Sequence, residues 1–171
     1  TMSDLVFRTE HTGTTVFSRI VEAAERSGLT RVAVEDPIAG ATSYGRLLTG
    51  ARVLSGRFAT MFGQEDTVGL MLPNATGAVA AFLGLISAGK VPAMVNFTAG
   101  AGNIRSSLGA CGARTVVSSR AFIEKAKLET LVKDLEQDVT FVWLEDVRSS
   151  LTAWEKIEGL LRRKYPLVAR M

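Results

Sequence analysis

The stretch from Thr67 to Asn96, TVGLMLPNATGAVAAFLGLISAGKVPAMVN, constrains the fold of this chain more than any other. Val68–Leu72 is a short apolar run that stops at Pro73, the pattern of a buried strand. Asn74 is placed to cap a helix, its side-chain oxygen accepting from an orphan N–H of the first turn. Ala75–Ala88 is helical in pattern, and Gly89 supplies the left-handed residue that closes it. Val91–Val95 reads as the next strand, with Pro92 near its start, where a missing N–H is tolerated. Two apolar strands joined by a helix predict a parallel sheet, because parallel strands need a crossover and are covered on both faces.

From Thr67 to Gly89 there is no charged side chain, so a membrane span has to be weighed. A span needs roughly 20 apolar residues, and the break at Pro73-Asn74 leaves too few. A buried core helix is the better reading. That helix is rich in small residues: Ala75, Gly77, Ala78, Ala80, Ala81, Gly84 and Ala88. Glycine costs roughly 1 kcal/mol against alanine inside a helix, so Gly77 and Gly84 need a reason. Close approach of the helix to the sheet is the simplest one.

The rest of the chain alternates in the same way. Thr14 or Thr15 caps a helix running to about Ser27, with Gly28 closing it. Arg31–Glu35 reads as a strand ending near Asp36-Pro37. Ser43 opens a helix that continues to about Phe62 and stops at Gly63. Ala101–Cys111 is a crossover helix and Thr115–Ser118 a strand. Phe122–Leu135 holds one helix or two short ones, and Val139–Leu144 is another strand. Leu151–Tyr165 is amphipathic, with Leu151, Trp154, Ile157, Leu161 and Tyr165 in register. Strands and helices alternating at about one βαβ unit of ~30 residues predict a mostly parallel α/β sheet with helices on both faces. At 171 residues, 47% apolar and 22% charged, the chain suits one globular domain. The expected organisation is a flexible segment over 1–13 and a single α/β domain over 14–171. Thr1, ahead of Met2, is set aside as a residue foreign to the natural start.

Several function classes drop out. A net charge of +3, from 20 basic and 17 acidic side chains, does not call for nucleic acid, and there are few aromatics to stack on bases. The single cysteine, Cys111, cannot make an internal disulfide and reads as a small buried hydrophobe. A reducing compartment fits, and a cytoplasmic location is expected. His11 is the only histidine, in a polar segment without nearby Cys or clustered carboxylates, so neither a metal site nor a Ser–His–Asp triad is supported.

Five features are candidates for a site. Thr98-Ala-Gly-Ala-Gly-Asn103 follows a strand and opens a helix, so its backbone could hold an anion. It has Gly100 and Gly102 but Arg105 where the third glycine of a dinucleotide fingerprint would stand, and a loop with a helix start is the plainer reading. The pairs Glu35-Asp36, Glu65-Asp66 and Glu145-Asp146 each adjoin a strand; any could supply a general acid, and solvated strand ends are the commoner reason for such pairs. Arg162-Arg163-Lys164 closes the last helix, where cations complement the helix dipole or offer a surface for an acidic partner.

The central stretch resembles the N-terminal subdomain of the adenylate-forming superfamily, the acyl-CoA synthetase-like enzymes. The resemblance rests on Asp66, Val68-Gly69, Leu72-Pro73-Asn74, Ala88-Gly89 and Asn96, with Thr42-Ser43-Tyr44 at an upstream helix start. Within it, Pro92–Gly100, Thr115–Leu128 and Val142–Val147 are similar to the acyl-[acyl-carrier-protein] synthetases fused to 2-acylglycerophosphoethanolamine acyltransferases. The superfamily has Asn-Pro where this chain has Asn96-Phe97, and the continuation Phe97-Thr-Ala-Gly100 is that subgroup's. The resemblance implies a parent enzyme that activates a fatty acid with ATP and magnesium and passes the acyl group to an acyl-carrier protein or lysophospholipid. The superfamily's Ser/Thr/Gly-rich phosphate loop, its magnesium-binding acid, its ribose-binding aspartate and its C-terminal lysine have no counterpart here. No catalytic, cofactor-binding or metal residue is therefore assigned. The chain is expected to be an N-terminal portion that ends before the phosphate loop, depends on the remaining enzyme domains, and is inactive alone. Self-association through an uncovered sheet edge is expected of such a piece. The alternative is a free-standing α/β module that binds a ligand or partner through the Thr98–Asn103 turn.

Overall fold

The computed structural model describes residues 13–37 and 39–151. Two expected features, His11 and the Arg162-Arg163-Lys164 run, lie outside them, as does all but Leu151 of the helix expected over 151–165. So does the segment expected to be flexible, except Gly13.

The chain opens with α1 (Val16–Ser27), capped by Thr15, whose hydroxyl accepts from the Ser18 N–H in a reciprocal box, and closed at Gly28 with φ +89°. The strand expected next is present as β1 (Val32–Asp36), but it does not join the parallel sheet. It pairs instead with a strand the sequence does not announce, β2 (Gly40–Ser43), and the two form a separate antiparallel hairpin. Gly40 takes φ +74° and Asp36 Oδ1 accepts from the Ala39 N–H at 3.0 Å, so the turn folds on local chemistry. Ser43 then caps α2 (Tyr44–Phe62), which stops at Gly63.

The expected strand–helix–strand unit follows as β3 (Thr67–Leu70), α3 (Thr76–Ser87) and β4 (Val91–Met94). After it come α4 (Ala101–Ala110), β5 (Thr115–Ser118), α5 (Arg120–Ala126), α6 (Glu129–Leu135), β6 (Thr140–Trp143) and α7 (Leu144–Ser149). The two short helices α5 and α6 part at Lys127, which sits in the left-handed region. The short α7 was not foreseen, because Leu144 reads equally well as the end of a strand.

The four strands β4-β3-β5-β6 form one parallel sheet. Alternation along β3 divides the core. Val68, Leu70 and Leu72 face α2, α3 and α7, through Phe58, Phe62, Ala81, Leu85 and Val147. On the opposite face Met71 and Val116 meet Ile104 and Leu108 of α4, Ile123 of α5, and Val132 and Leu135 of α6. A third cluster lies outside the α2–α3 pair, where Leu47, Ala51 and Leu83 meet Phe17, Ile20, Ala33 and Val34 of α1 and the hairpin. Helix α3 is thus buried between the sheet and an outer layer, which accounts for its lack of charge.

The close approach expected of α3 is made to another helix. A Cβ on Gly84 would lie 2.9 Å from Leu54 Cβ and 3.1 Å from the Ala51 carbonyl, both on α2, whereas one on Gly77 would meet nothing within 4 Å. The glycine that admits a neighbour at the sheet is Gly69, where a Cβ would lie 2.9 Å from Val116 Cγ2 and 3.1 Å from Leu108 Cδ2.

Candidate functional site at the strand ends

Chain direction singles out one end of the sheet. The β3 connection runs outward to β4, while the β5 connection runs the other way to β6. Neighbouring strands whose connections diverge leave a crevice at their carboxyl ends, the usual ligand position in open α/β sheets. In this sheet that position falls between the ends of β3 and β5, at Leu70 and Ser118, both fully buried. The strands are tied together there: the Met71 N–H donates to the Val117 carbonyl at 2.9 Å, and Ser118 Oγ donates to the Met71 carbonyl at 2.7 Å.

The loop from Met71 leads into α3 without the cap expected of Asn74. The helix starts at Thr76, its flanking residue is Ala75, and no side chain of that segment caps it. The acceptor comes from 40 residues away: Asp36 Oδ2 takes the Thr76 N–H at 2.8 Å. A carboxylate at a helix start is also favoured by the helix dipole.

The β6–α7 junction lies at the same end of the sheet. Glu145 Oε1 accepts from Ser119 Oγ at 2.7 Å and from the Ala121 N–H at 3.3 Å. Beside it Arg120 makes two bonds to Asp146, at 2.5 and 2.7 Å, and its guanidinium lies 5.1 Å from the Trp143 ring centre. Burial pushes the Glu145 carboxyl up, but the Ser119 hydroxyl and the backbone N–H groups of Glu145, Arg120 and Ala121 outweigh it and hold it below its ordinary value. Asp146 is held low by its bond and charge pairing with Arg120, which is raised in turn. Both acids are therefore ionised at neutral pH and unsuited to donate a proton. Two buried polar atoms lack a hydrogen-bond partner among the described residues at this end of the sheet, Glu145 Oε2 and Thr76 Oγ1.

The Thr98–Asn103 turn lies at the end of β4 and closes on itself. Asn96 Oδ1 accepts from the Thr98 N–H at 3.1 Å and its hydroxyl at 2.8 Å, and Asn103 Nδ2 donates to the Ala99 carbonyl at 2.9 Å. Gly100 precedes α4 at φ +80°. Arg105 points away from the turn, to Asp138 at 2.5 Å and the Asp134 carbonyl at 3.0 Å. Between β4 and α4 a cavity of about 140 Å³ is lined by neutral residues, Met94, Val95, Asn96, Ile104, Leu108 and Cys111 among them. Ligand pockets usually span about 300–1,000 Å³, so this one is small for a whole ligand. Cys111 is exposed rather than buried, because α4 ends at Ala110 and its final turn runs past the core.

The three acidic pairs are more specific than solvated strand ends. Glu65 sits at the opposite end of the sheet and accepts from the N–H groups of Arg114 and Thr115 and the Thr115 hydroxyl, at 2.7 to 2.8 Å. It takes over where the β3–β5 ladder stops, while Asp36 and Glu145 serve the strand-end side. Sequence reasoning named these pairs but not their distant partners, which, Ala39 beside Asp36 apart, lie 24 to 50 residues away. The one local signal for Asp36 is that Ala75, with no polar side chain, stands before α3.

Among the described residues no group of three or more His, Cys, Asp or Glu side chains could hold a metal, and no helix is long and apolar enough to cross a membrane.

Comparison with known proteins supplies the remaining context. A family profile described as AMP-binding enzyme matches residues 20–164. The crystal structure of VinN superposes with a TM-score of 0.70 at 19% identity, covering 86% of this chain and 37% of that one. A benzoate CoA ligase from Burkholderia xenovorans LB400 gives 0.64 at 20% identity, with 80% and 28% covered. The O-succinylbenzoate coenzyme A synthetase of Bacillus subtilis, in complex with AMP, gives 0.63 at 15% identity, with 78% and 32% covered. The chain spans about a third of the length of these structures.

Proposed function

The chain belongs to the AMP-binding enzyme family, and from that premise we propose that it is the N-terminal portion of an ATP-dependent ligase that activates a fatty acid and delivers it to an acyl-carrier protein. We further propose that the parent joins this synthetase to a 2-acylglycerophosphoethanolamine acyltransferase of phospholipid and fatty acid metabolism and works in the cytoplasm. The observation that carries the finer reading is the run Asn96-Phe97-Thr98-Ala99-Gly100, which departs from the superfamily's Asn-Pro. In the fold this run forms the bonded turn between β4 and α4, beside the crevice.

The donor set fits ATP and magnesium poorly. Both oxygens of Asp146 are engaged by Arg120 and one of Glu145 by Ser119, which leaves a single carboxylate oxygen, and no lysine stands in the Thr98–Asn103 turn to meet a phosphate. On this reading these residues stand at the carboxyl end of the sheet, with Thr76 Oγ1 and Glu145 Oε2 free to meet a ligand or another part of the enzyme.

The test is ATP–pyrophosphate exchange. The 171-residue chain is expected to show none with any fatty acid, while a polypeptide carrying the remaining domains exchanges with fatty acids and loads a carrier-protein thiol. Exchange by the short chain would overturn the reading. A longer polypeptide that activates aryl acids and ignores fatty acids would overturn its acyl-carrier part. Tight calorimetric binding of AMP or NAD by the short chain would favour a free-standing binding module instead.

A further inference from the structure

We propose that Asp36 is a positioning residue that couples the β1–β2 hairpin to the loop over 71–75, which leaves the carboxyl end of β3. The loop over 71–75 hangs between two anchors. At its start, Met71 is bonded on both its N–H and its carbonyl to β5, through Val117 and Ser118. At its end, the Thr76 N–H is held by Asp36 Oδ2. Between them Asn74 is exposed.

The second anchor cannot be made locally. Ala75 has no side chain to cap with, and its carbonyl already serves the Ala78 and Val79 N–H groups, at 3.0 and 3.3 Å. The Thr76 N–H is one of the orphan donors of a helix start. Asp36 is only 8% exposed, and a carboxylate so buried is tolerable only while hydrogen-bonded. One oxygen holds the helix and the other holds the Ala39 N–H in the hairpin turn. Hairpin turn and helix start therefore share one rigid planar group. Displacing the turn moves an acceptor that α3 cannot replace from its own sequence. The inference holds whatever ligand the crevice takes, so it stands or falls apart from the acyl-activating reading.

A cycle of two substitutions read by amide hydrogen exchange tests it. Gly40→Ala strains the hairpin turn at φ +74° without touching α3, since a Cβ there meets nothing within 4 Å. Asp36→Asn cuts the tie, because its NH2 group cannot accept and one oxygen is left for the two N–H groups of Ala39 and Thr76. In the wild-type background, Gly40→Ala should speed exchange of the Thr76, Gly77 and Ala78 amides at least threefold. In the Asp36→Asn background it should leave them unchanged, although their baseline is faster. Should Asp36→Asn not fold, the double variant Asp36→Asn/Ala75→Asp, with a local cap, takes its place in the cycle. No effect of Gly40→Ala on these amides, or the same effect in both backgrounds, would overturn the coupling.

Discussion

At the scale of single residues, the two glycines of α3 show how far position overrides type. Both interrupt the same alanine-rich run, and both carry the same helix cost. Gly84 lies against α2, where an added methyl would press on Leu54 Cβ and the Ala51 carbonyl, while Gly77 faces open space. Gly84→Ala is expected to destabilise the fold by about 1–3 kcal/mol through overpacking. Gly77→Ala should stabilise it by up to ~1 kcal/mol through helix propensity. Urea titrations of the two variants check this, and equal shifts of the same sign would contradict the packing described. The acidic pairs carry the same lesson. Their presence at strand ends is plain in the sequence, but a carboxylate 40 or 50 residues from its partner leaves no local trace.

At the scale of elements, helix starts, glycine stops and strand spacing follow from neighbouring residues, and α1, α2, α4, β3, β4 and β5 lie where their caps and apolar runs put them. The hairpin does not, because the short run Gly40–Ser43 reads equally well as a lead into α2. The joint between α5 and α7 carries a pH dependence. Glu145 and Asp146 both have lowered folded pKa values, so the unfolded chain binds more protons as the pH falls to the ordinary carboxylate range near 4. The stability they contribute is complete above that range and is lost as the pH drops through their folded values. The midpoint of thermal unfolding is expected to fall as the pH drops from about 5 to about 3, and the Glu145→Gln/Asp146→Asn pair should flatten that slope while lowering the midpoint at pH 7. An unchanged slope in the double variant would show that the clamp is not the group responsible.

At the scale of the whole molecule, the sheet has two unlike edges. The Val91 and Val95 N–H groups bond inward to Asp66 and Leu70, so Pro92 and Met94 face outward, and Pro92 brings no donor to the free side of β4. On β6 the Thr140 N–H bonds inward to Arg114, which turns the donors of Phe141 and Trp143 outward. A proline on an edge blunts strand addition. Pro92→Val is therefore expected to make sedimentation more concentration-dependent than in the parent chain; an unchanged profile would mean that β4 is shielded by other means. The parallel α/β class, the charge-free central helix and the family signature were all determined by the sequence itself. Apolar periodicity, caps and glycine stops act between neighbours, and the signature residues stand within one stretch of chain. Only the tertiary structure decided the rest: the withdrawal of β1 into a hairpin, the turning of Gly84 toward α2, the exposure of Cys111, and the choice of Asp36 to start α3. Each depends on which distant segment fills the space alongside, and packing settles that only once the sheet order and the helix layers are in place.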